Sequence, residues 1–256
     1  MNFLNMSQHI DEIQKYYDKR INNSKDGIGA SGQWFPKELT PKMCEEICQK
    51  IQISENDKIL EIGSGSDVLG NYLRKYCKEY VGVDISFKML KFSNKNQNLK
   101  LIQTTSHTLP FQNNSFDIVV MNSVSMYLKD DIIFKNSLNE IKRVSKSNGK
   151  IFIGENITSD TVYWEYNWFH NLNKFLQFLA KPYIRFRIAM AKKFPEKSGK
   201  WRNYYREISK NQLIDFFGKN STIEMSDACC YSIRKKFLEK NKIGNKRIDF
   251  FIILKE

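Results

Sequence analysis

The sequence predicts an α/β fold in which helices cover both faces of a mostly parallel sheet. Short runs of β-forming residues alternate with segments of helical periodicity, the pattern that βαβ units produce. The run "FDIVVM" at 116–121 is almost continuously apolar, as expected for a strand buried on both sides. A glycine turn, "GSGSD", directly follows the first run, at the strand end where such sheets bind ligands.

Two helices are expected before the sheet. Apolar residues at helical spacing predict an amphipathic helix over residues 7–21. After a loop, Thr40 is placed to cap a second helix that has Pro41 at its first position. Residues 1–54 are therefore expected to form an N-terminal helical part that serves as a lid.

Seven runs then have the length and composition of strands. Helices fit between several of them, notably at 132–144 and 210–217. A Lys-rich segment without a clear helix separates the last two runs, so a final antiparallel pair is allowed. The predicted strands are 58–63, 80–85, 99–104, 116–121, 150–155, 222–228 and 248–254.

Composition limits the class of protein. The chain has 256 residues, 41% of them hydrophobic, which is enough for one domain with a full core and an insertion. It contains no apolar run of membrane-spanning length, and its first residues lack the basic start and apolar block of a secretory signal. Cys44 and Cys48 are spaced as a metal pair could be, but no second pair accompanies them. Thiols in a reducing, cytoplasmic compartment are expected, and no metal.

The segment 156–208 is about fifty residues long, much longer than an ordinary connection between a helix and a strand. Its first half is rich in aromatic residues. Its second half is basic, with nine Lys or Arg residues and a single acid, Glu196, between Lys181 and Arg206. This local excess stands out even within a chain of formal net charge +13.

The glycine turn in "ILEIGSGSD" at 59–67 does not match the phosphate-binding loops. A dinucleotide fingerprint requires glycine where Val68 stands, and no Lys-Ser/Thr pair follows in the register of a phosphate loop. Glu61 ends the first strand, and Asp84 ends the second, where its carboxylate can accept hydrogen bonds from both hydroxyls of a ribose. An anionic Glu61 suits a positively charged cofactor better than a pyrophosphate.

Four segments resemble, in order and spacing, the signatures of class I S-adenosylmethionine (SAM)-dependent methyltransferases. They are "KILEIGSGSDVLGNYL", "YVGVDISFKML", "LPFQNNSFDIVVMNSV" and "LNEIKRVSKSNGKIFIGE". The resemblance implies a Rossmann-like, seven-stranded, mostly parallel sheet whose last strand is antiparallel. It further implies a SAM-binding core at 55–156, a helical aromatic and basic cap at 157–208, and the rest of the sheet at 209–256.

The resemblance also implies roles by position. Gly63, Ser64 and Gly65 would let the backbone approach the methionine part of SAM. Asp84 would hold the ribose hydroxyls and Ile85 would pack on the adenine. The cofactor-binding residues expected on this basis are Glu61, Gly63, Ser64, Gly65, Asp84, Ile85, Thr105, Ser106 and Asn122. Two positions depart from the family pattern, because Asp67 stands where a glycine is frequent and Thr105 where an acid is frequent; both departures allow weaker SAM affinity.

The methyl acceptor is less well marked. No Asp/Asn-Pro-Pro-Tyr motif follows the fourth strand, which argues against the branch that methylates exocyclic amines of DNA bases or protein glutamine. Candidate acid or base residues are Tyr127, Glu155 and His170. Aromatic residues that could enclose an organic acceptor are Trp34, Phe35, Trp164 and Trp168.

Methyl transfer to an O or N atom of a small metabolite is favoured, and the basic segment allows an anionic one. An RNA methyltransferase is the second hypothesis, since Lys and Arg are interleaved with Trp201, Tyr204 and Tyr205. A non-catalytic SAM-binding or partner-binding protein is the third. In addition, "FLQFLAKPYIRFRIAMAKKF" has the mixed apolar and basic composition of interfacial helices, which predicts peripheral contact with an anionic membrane.

Overall fold

A computed structural model of the protein describes residues 3–22, 24, 26–30, 37–93, 100–157, 169, 172–193, 206–218, 221–229 and 247–255. Its centre is a seven-stranded sheet in the order β3-β2-β1-β4-β5-β7-β6. The strands are β1 (Lys58–Ile62), β2 (Glu79–Asp84), β3 (Lys100–Gln103), β4 (Phe116–Asn122), β5 (Ser145–Asn156), β6 (Ser221–Asp227) and β7 (Ile248–Leu254).

Strand directions confirm the predicted sheet. The pairs formed by β1 with β2 and β4, by β2 with β3, and by β4 with β5 are parallel. The last strand, β7, runs antiparallel to both of its neighbours. The main difference from the prediction is β5, which begins at Ser145 because this residue already pairs with Phe116 before a bulge in the register.

Helices cover both faces of the sheet. They are α1 (Phe3–Asn22), α2 (Gly27–Ala30), α3 (Thr40–Ile51), α4 (Gly70–Leu73), α5 (Phe87–Leu90), α6 (Asp131–Val144), α7 (Lys174–Lys193) and α8 (Lys210–Phe217), with 3₁₀ turns at Lys37–Leu39 and Ser125–Tyr127. No helix within these described ranges is long and apolar enough to span a bilayer.

The strand β4 shows why a continuous apolar run is needed at the centre of such a sheet. Val119 and Met121 point into the core that α6 and α8 cover, whereas Ile118 and Val120 point into the core covered by α3. Because successive side chains alternate between faces, a strand with a helical layer on each side has no polar side. The sequence interpretation of "FDIVVM" is therefore confirmed.

The start of α3 differs from the prediction. Leu39, not Thr40, precedes the helix, and no side chain caps it. The reason is that the turn Lys37–Leu39 is already helical, with Leu39 at φ −83° and ψ −16°, so Thr40 does not have the extended backbone that a capping residue needs. Cys44 and Cys48 lie on the buried face of this helix and pack into the core, as side chains of ordinary apolar character do.

Within the long segment 157–208, the structure describes mainly α7. Ile184 and Ile188 of this helix pack against Met126, Ile157 and Phe169 at the carboxyl ends of β4 and β5. That the whole segment forms a cap stays a prediction. The aromatic candidates of the acceptor pocket, Trp34, Phe35, Trp164 and Trp168, and the candidate His170 lie outside the described residues.

Candidate functional site

A cavity of about 190 Å³ opens at the carboxyl ends of β1, β2 and β4. The strand order reverses here, since β2 lies on one side of β1 and β4 on the other. In open α/β sheets the chains leave such a switch point in opposite directions and create a crevice. All of the residues predicted to bind the cofactor line this cavity: Glu61, Gly63, Ser64, Gly65, Asp84, Ile85, Thr105, Ser106 and Asn122.

The glycine turn is held in place by β2. The backbone N–H groups of Gly63 and Ser64 both donate to the carbonyl oxygen of Val83, at 2.7 and 3.0 Å. Gly63 has φ +74°, and a Cβ at this position would lie 2.1 Å from Cγ2 of Val124. Only glycine fits here, because the backbone conformation and the close approach both exclude a side chain.

Asp84 joins the turn to the second strand. Its two carboxylate oxygens accept from the N–H groups of Gly65 at 2.9 Å and Ser86 at 2.8 Å. Burial raises the pKa of Asp84, although these backbone hydrogen bonds act in the opposite direction. Each carboxylate oxygen can accept more than one hydrogen bond, so hydroxyl groups of a ligand can still be bound.

Among the described residues, two that line this cavity carry a buried side-chain atom with no hydrogen-bond partner, Oγ of Ser64 and Oδ1 of Asn122. An unsatisfied buried polar group costs about 1–3 kcal/mol, so such atoms are rare unless a ligand satisfies them. Ser64 belongs to the glycine turn and Asn122 ends β4. Both residues therefore bring polar side chains to the wall of the cavity, one after β1 and one at the end of β4.

The loop after β3 forms a third side. Thr105 and Thr108 are joined through their hydroxyls at 2.6 Å, and Ser106 and Ser137 through theirs at 2.8 Å. His107, which also lines the cavity, has a pKa lowered by burial, with Glu140 acting weakly in the opposite direction. Its imidazole is therefore neutral at neutral pH.

Asp67, which replaces a glycine frequent in the family, belongs to a buried network. It keeps the left-handed backbone of a glycine, with φ +64°, and its carboxylate is 0% exposed. Arg74 donates two hydrogen bonds of 2.7 Å to it and stacks 4.9 Å from the ring centre of Tyr80. The Tyr80 hydroxyl in turn donates to Glu61 at 2.7 Å, so the network connects the turn to β1.

Glu61 is 4% exposed, and burial raises its pKa to about 8 despite the hydrogen bond from Tyr80. Burial therefore disfavours the anionic form of this carboxyl that the sequence analysis assumed, because desolvation favours the protonated form. The sequence pattern places Glu61 at the strand end but does not reveal how completely it is buried.

Glu61→Gln is expected to change how stability depends on pH. A carboxyl whose pKa rises on folding binds its proton more tightly in the folded state, so stability falls as pH rises from about 4.5 to about 8. The slope is at most about 1.4 kcal/mol per pH unit. Glutamine does not titrate, so the variant lacks this loss of stability. The amount by which its melting temperature exceeds that of the wild type should therefore grow from pH 5 to pH 8.

Glu140→Gln is the matched control, because the hydrogen bond from Arg143 lowers the pKa of Glu140. A lowered pKa contributes stability above the unfolded value and loses it only at acid pH. The difference between this variant and the wild type should therefore stay constant from pH 5 to pH 8. The same constant difference for Glu61→Gln would refute the protonated state of Glu61.

The N-terminal helices, which are expected to serve as a lid, contribute lining residues that the sequence analysis did not name. Ile10, Ile13 and Tyr17 of α1, with Met43 and Ile47 of α3, line the cavity. A hydrogen bond of 2.5 Å from Ser86 to Asp18 fixes α1 to the end of β2. The apolar periodicity of both helices was the available signal, but periodicity shows that a face is buried without showing what it contacts.

The two acid or base candidates among the described residues, Tyr127 and Glu155, are placed differently. Tyr127 lines the cavity, and its ring meets that of Tyr17 edge to face at 5.9 Å. Burial raises the pKa of Tyr17 well above its ordinary value, and the neighbouring Tyr127 raises it further. The Tyr17 hydroxyl therefore stays protonated. Glu155 is not among the described residues that line the cavity: its N–H donates to Asp249, and its carbonyl oxygen accepts from Arg247, on the β7 side.

Comparison with known proteins agrees with this geometry. Residues 60–153 match the family model of a methyltransferase domain. The demethylmenaquinone methyltransferase of Corynebacterium urealyticum is 28% identical over 162 residues, which cover 61% of this chain and 64% of that protein. The ubiquinone/menaquinone biosynthesis C-methyltransferase of Wigglesworthia glossinidia brevipalpis is 34% identical over 110 residues, 39% of this chain and 43% of that protein. The chain thus spans less than two thirds of the length of either relative.

Among solved structures, phosphoethanolamine N-methyltransferase 1 of Haemonchus contortus, in complex with phosphoethanolamine and S-adenosylhomocysteine, superposes with a TM-score of 0.67. The alignment covers 96% of this chain and 49% of that one at 12% identity, so it supports the fold. The domain match covers most of β1 to β5 and all of the candidate cofactor-binding residues, from Glu61 to Asn122. Residues 60–153 therefore form a methyltransferase domain with the class I fold, the fold of SAM-dependent methyltransferases.

Proposed function

We propose that the protein transfers the methyl group of SAM to a small organic acceptor held in the same cavity. The observation that carries the proposal is the two-sided lining of this cavity. A polar side contains the glycine turn with Ser64, and also Asn122, and an apolar side contains Tyr17 and Tyr127. Such a division suits a polar cofactor next to a less polar acceptor.

The residues of this chain would act mainly by holding the two reactants in line. SAM supplies a methyl group that is already activated by its sulfonium. Orientation of reactants alone contributes roughly 7–11 kcal/mol to lowering a barrier, so no strong acid or base is required for catalysis. In this proposal Asp84 binds the ribose, the Gly63–Gly65 backbone approaches the methionine part, and Asn122 lies on the methyl-transfer side.

The lining favours an uncharged acceptor over the anionic one that the basic segment allowed. None of the described residues that line the cavity is Lys or Arg. Ile10, Ile13 and the rings of the Tyr17–Tyr127 pair offer apolar contact to such an acceptor. We propose an O or N atom as the methyl acceptor, with carbon as the second candidate, since one relative is named a C-methyltransferase.

Asp84→Ala is expected to weaken binding of both SAM and S-adenosylhomocysteine at least about tenfold, because hydrogen bonds to a charged acceptor contribute about 1.5–3 kcal/mol each. Isothermal titration calorimetry measures both affinities. Asp130→Ala is the matched control, since Asp130 also accepts from two backbone N–H groups, those of Ile132 and Ile133, but does not line the cavity. Unchanged affinity in Asp84→Ala would exclude a ribose-binding role.

A transfer assay tests the reaction. The wild type and Asp84→Ala would be incubated with methyl-labelled SAM and two sets of acceptors, uncharged aromatic alcohols or amines and phosphate esters of similar size. Mass spectrometry of the products then locates the new methyl group on O, N or C. Labelling confined to the uncharged set would support the proposed acceptor class. Binding of SAM without labelling in either set would favour a non-catalytic SAM-binding protein.

A further inference from the structure

The helix α7 presents a large apolar face to the solvent. Phe175 and Phe178 are 69% and 70% exposed, and the other exposed large apolar residues of the helix lie near them: Leu176, Leu179, Tyr183 and Phe186. At 3.6 residues per turn these positions form one continuous face, opposite Ile184 and Ile188. A monomer rarely exposes so many large apolar side chains together, so this face is suited to contact with a partner.

Basic residues border the same face. Helical geometry places Lys174 and Lys181 along one edge and Arg187 along the other, and the helix contains no Asp or Glu. Lys174 and Lys181 are exposed. Long basic side chains at the edges of an apolar face can reach phosphate groups while the apolar residues enter a hydrocarbon layer.

We propose that α7 lies in the interfacial layer of an anionic lipid bilayer, with Phe175, Phe178 and Phe186 inserted and the flanking lysines at the headgroups. Charge complementarity selects this partner. The whole chain has a formal net charge of +13, and the anionic surface of a bilayer attracts Lys and Arg.

The buried side of α7 connects this surface to the cavity. Ile184 and Ile188 pack with Met126, and Tyr127, the neighbour of Met126, packs partly against the same cluster while lining the cavity. A helix bound at the bilayer would thus lie directly behind the cavity wall. If the proposed function is correct, an apolar acceptor could then be taken from the lipid phase; the docking itself does not depend on that function.

Sedimentation of the full chain with sucrose-loaded vesicles tests the docking. We expect binding to vesicles of phosphatidylcholine mixed with phosphatidylglycerol and much weaker binding to phosphatidylcholine alone. Phe175→Ser combined with Phe178→Ser should reduce the affinity at least about tenfold, because two inserted apolar side chains are lost. Ile214→Ser combined with Met225→Ser is the matched control, since both residues are exposed but lie on α8 and β6.

Two double variants that change the net charge by the same amount test the role of the charges on α7. Lys174→Glu combined with Lys181→Glu should weaken vesicle binding by about fivefold or more for each reversed residue. Added salt should weaken the vesicle binding of the wild type. Lys135→Glu with Lys142→Glu, both exposed on α6, changes the net charge equally and should have a smaller effect. Equal losses in the two pairs would show that only the overall charge matters and would overturn the role of α7.

Further outcomes would also contradict the proposal. These are no binding of the wild type to either vesicle, and unchanged binding of the Phe175→Ser, Phe178→Ser variant. Gel filtration that shows a dimer, dissociated by the same two substitutions, would assign the face to a second copy of the chain. The substituted residues do not line the cavity, so each folded variant should keep its SAM affinity. Circular dichroism and SAM affinity therefore establish that the fold is retained.

Discussion

Gly63→Ala is expected to abolish most SAM binding while the protein stays folded. The added methyl group would lie 2.1 Å from Cγ2 of Val124, and the backbone at φ +74° disfavours any side chain. Strain of this kind costs about 1–3 kcal/mol, and overpacking costs about as much again. The turn can relieve both by moving out of the geometry that binds the ligand. We therefore expect an affinity loss of roughly thirtyfold or more by calorimetry.

Gly218→Ala separates the two causes. Gly218 has φ +83°, but no atom lies within 4 Å of the position of its Cβ, so this variant has the backbone strain without the collision. It should lower the melting temperature slightly and leave SAM affinity unchanged. Gly63→Ala combined with Val124→Ala should recover part of the lost affinity. Full wild-type affinity in Gly63→Ala would contradict the proposal that this turn contacts SAM.

Arg74→Met is expected to cause the largest loss of stability among these variants. It leaves the Asp67 carboxylate, which is 0% exposed, without the two hydrogen bonds and the positive charge that Arg74 provides. Removal of one partner from a buried ion pair costs about 3–5 kcal/mol. The free energy of unfolding from urea denaturation measures this loss. SAM affinity should fall as well, because Asp67 belongs to the loop that continues from the glycine turn.

The variant Asp67→Gly, Arg74→Met tests the cause of that loss. Glycine fits the backbone at φ +64°, and it leaves no buried carboxylate that needs a positively charged partner. The double variant should therefore be more stable than Arg74→Met alone. Lys100→Met is the control for an exposed pair, since Lys100 is 64% exposed beside Glu79, and should cost less than about 1 kcal/mol. An Arg74→Met loss no larger than this would show that the buried network contributes little.

The sequence by itself determined the sheet and the residues at its carboxyl edge. Each strand is marked by a local pattern, and apolar runs such as "FDIVVM" require burial on both faces. The glycine turn at Gly63 and the acid at Asp84 were also predictable, because they are fixed by their positions at strand ends. Local spacing is sufficient here, since strand ends in a parallel sheet meet at the same edge.

Only the tertiary structure decided the properties that depend on distant residues. The pKa of Glu61 follows from its complete burial beside Tyr80, and the tolerance of Asp67 in a glycine position follows from Arg74. The composition of the segment around Phe175 and Phe178 is that of an interfacial helix, but their exposure was decided by which face of α7 packs against Met126, Ile157 and Phe169. The physical reason is that burial and charge partners are set by contacts between elements, whereas periodicity records only that a face is apolar.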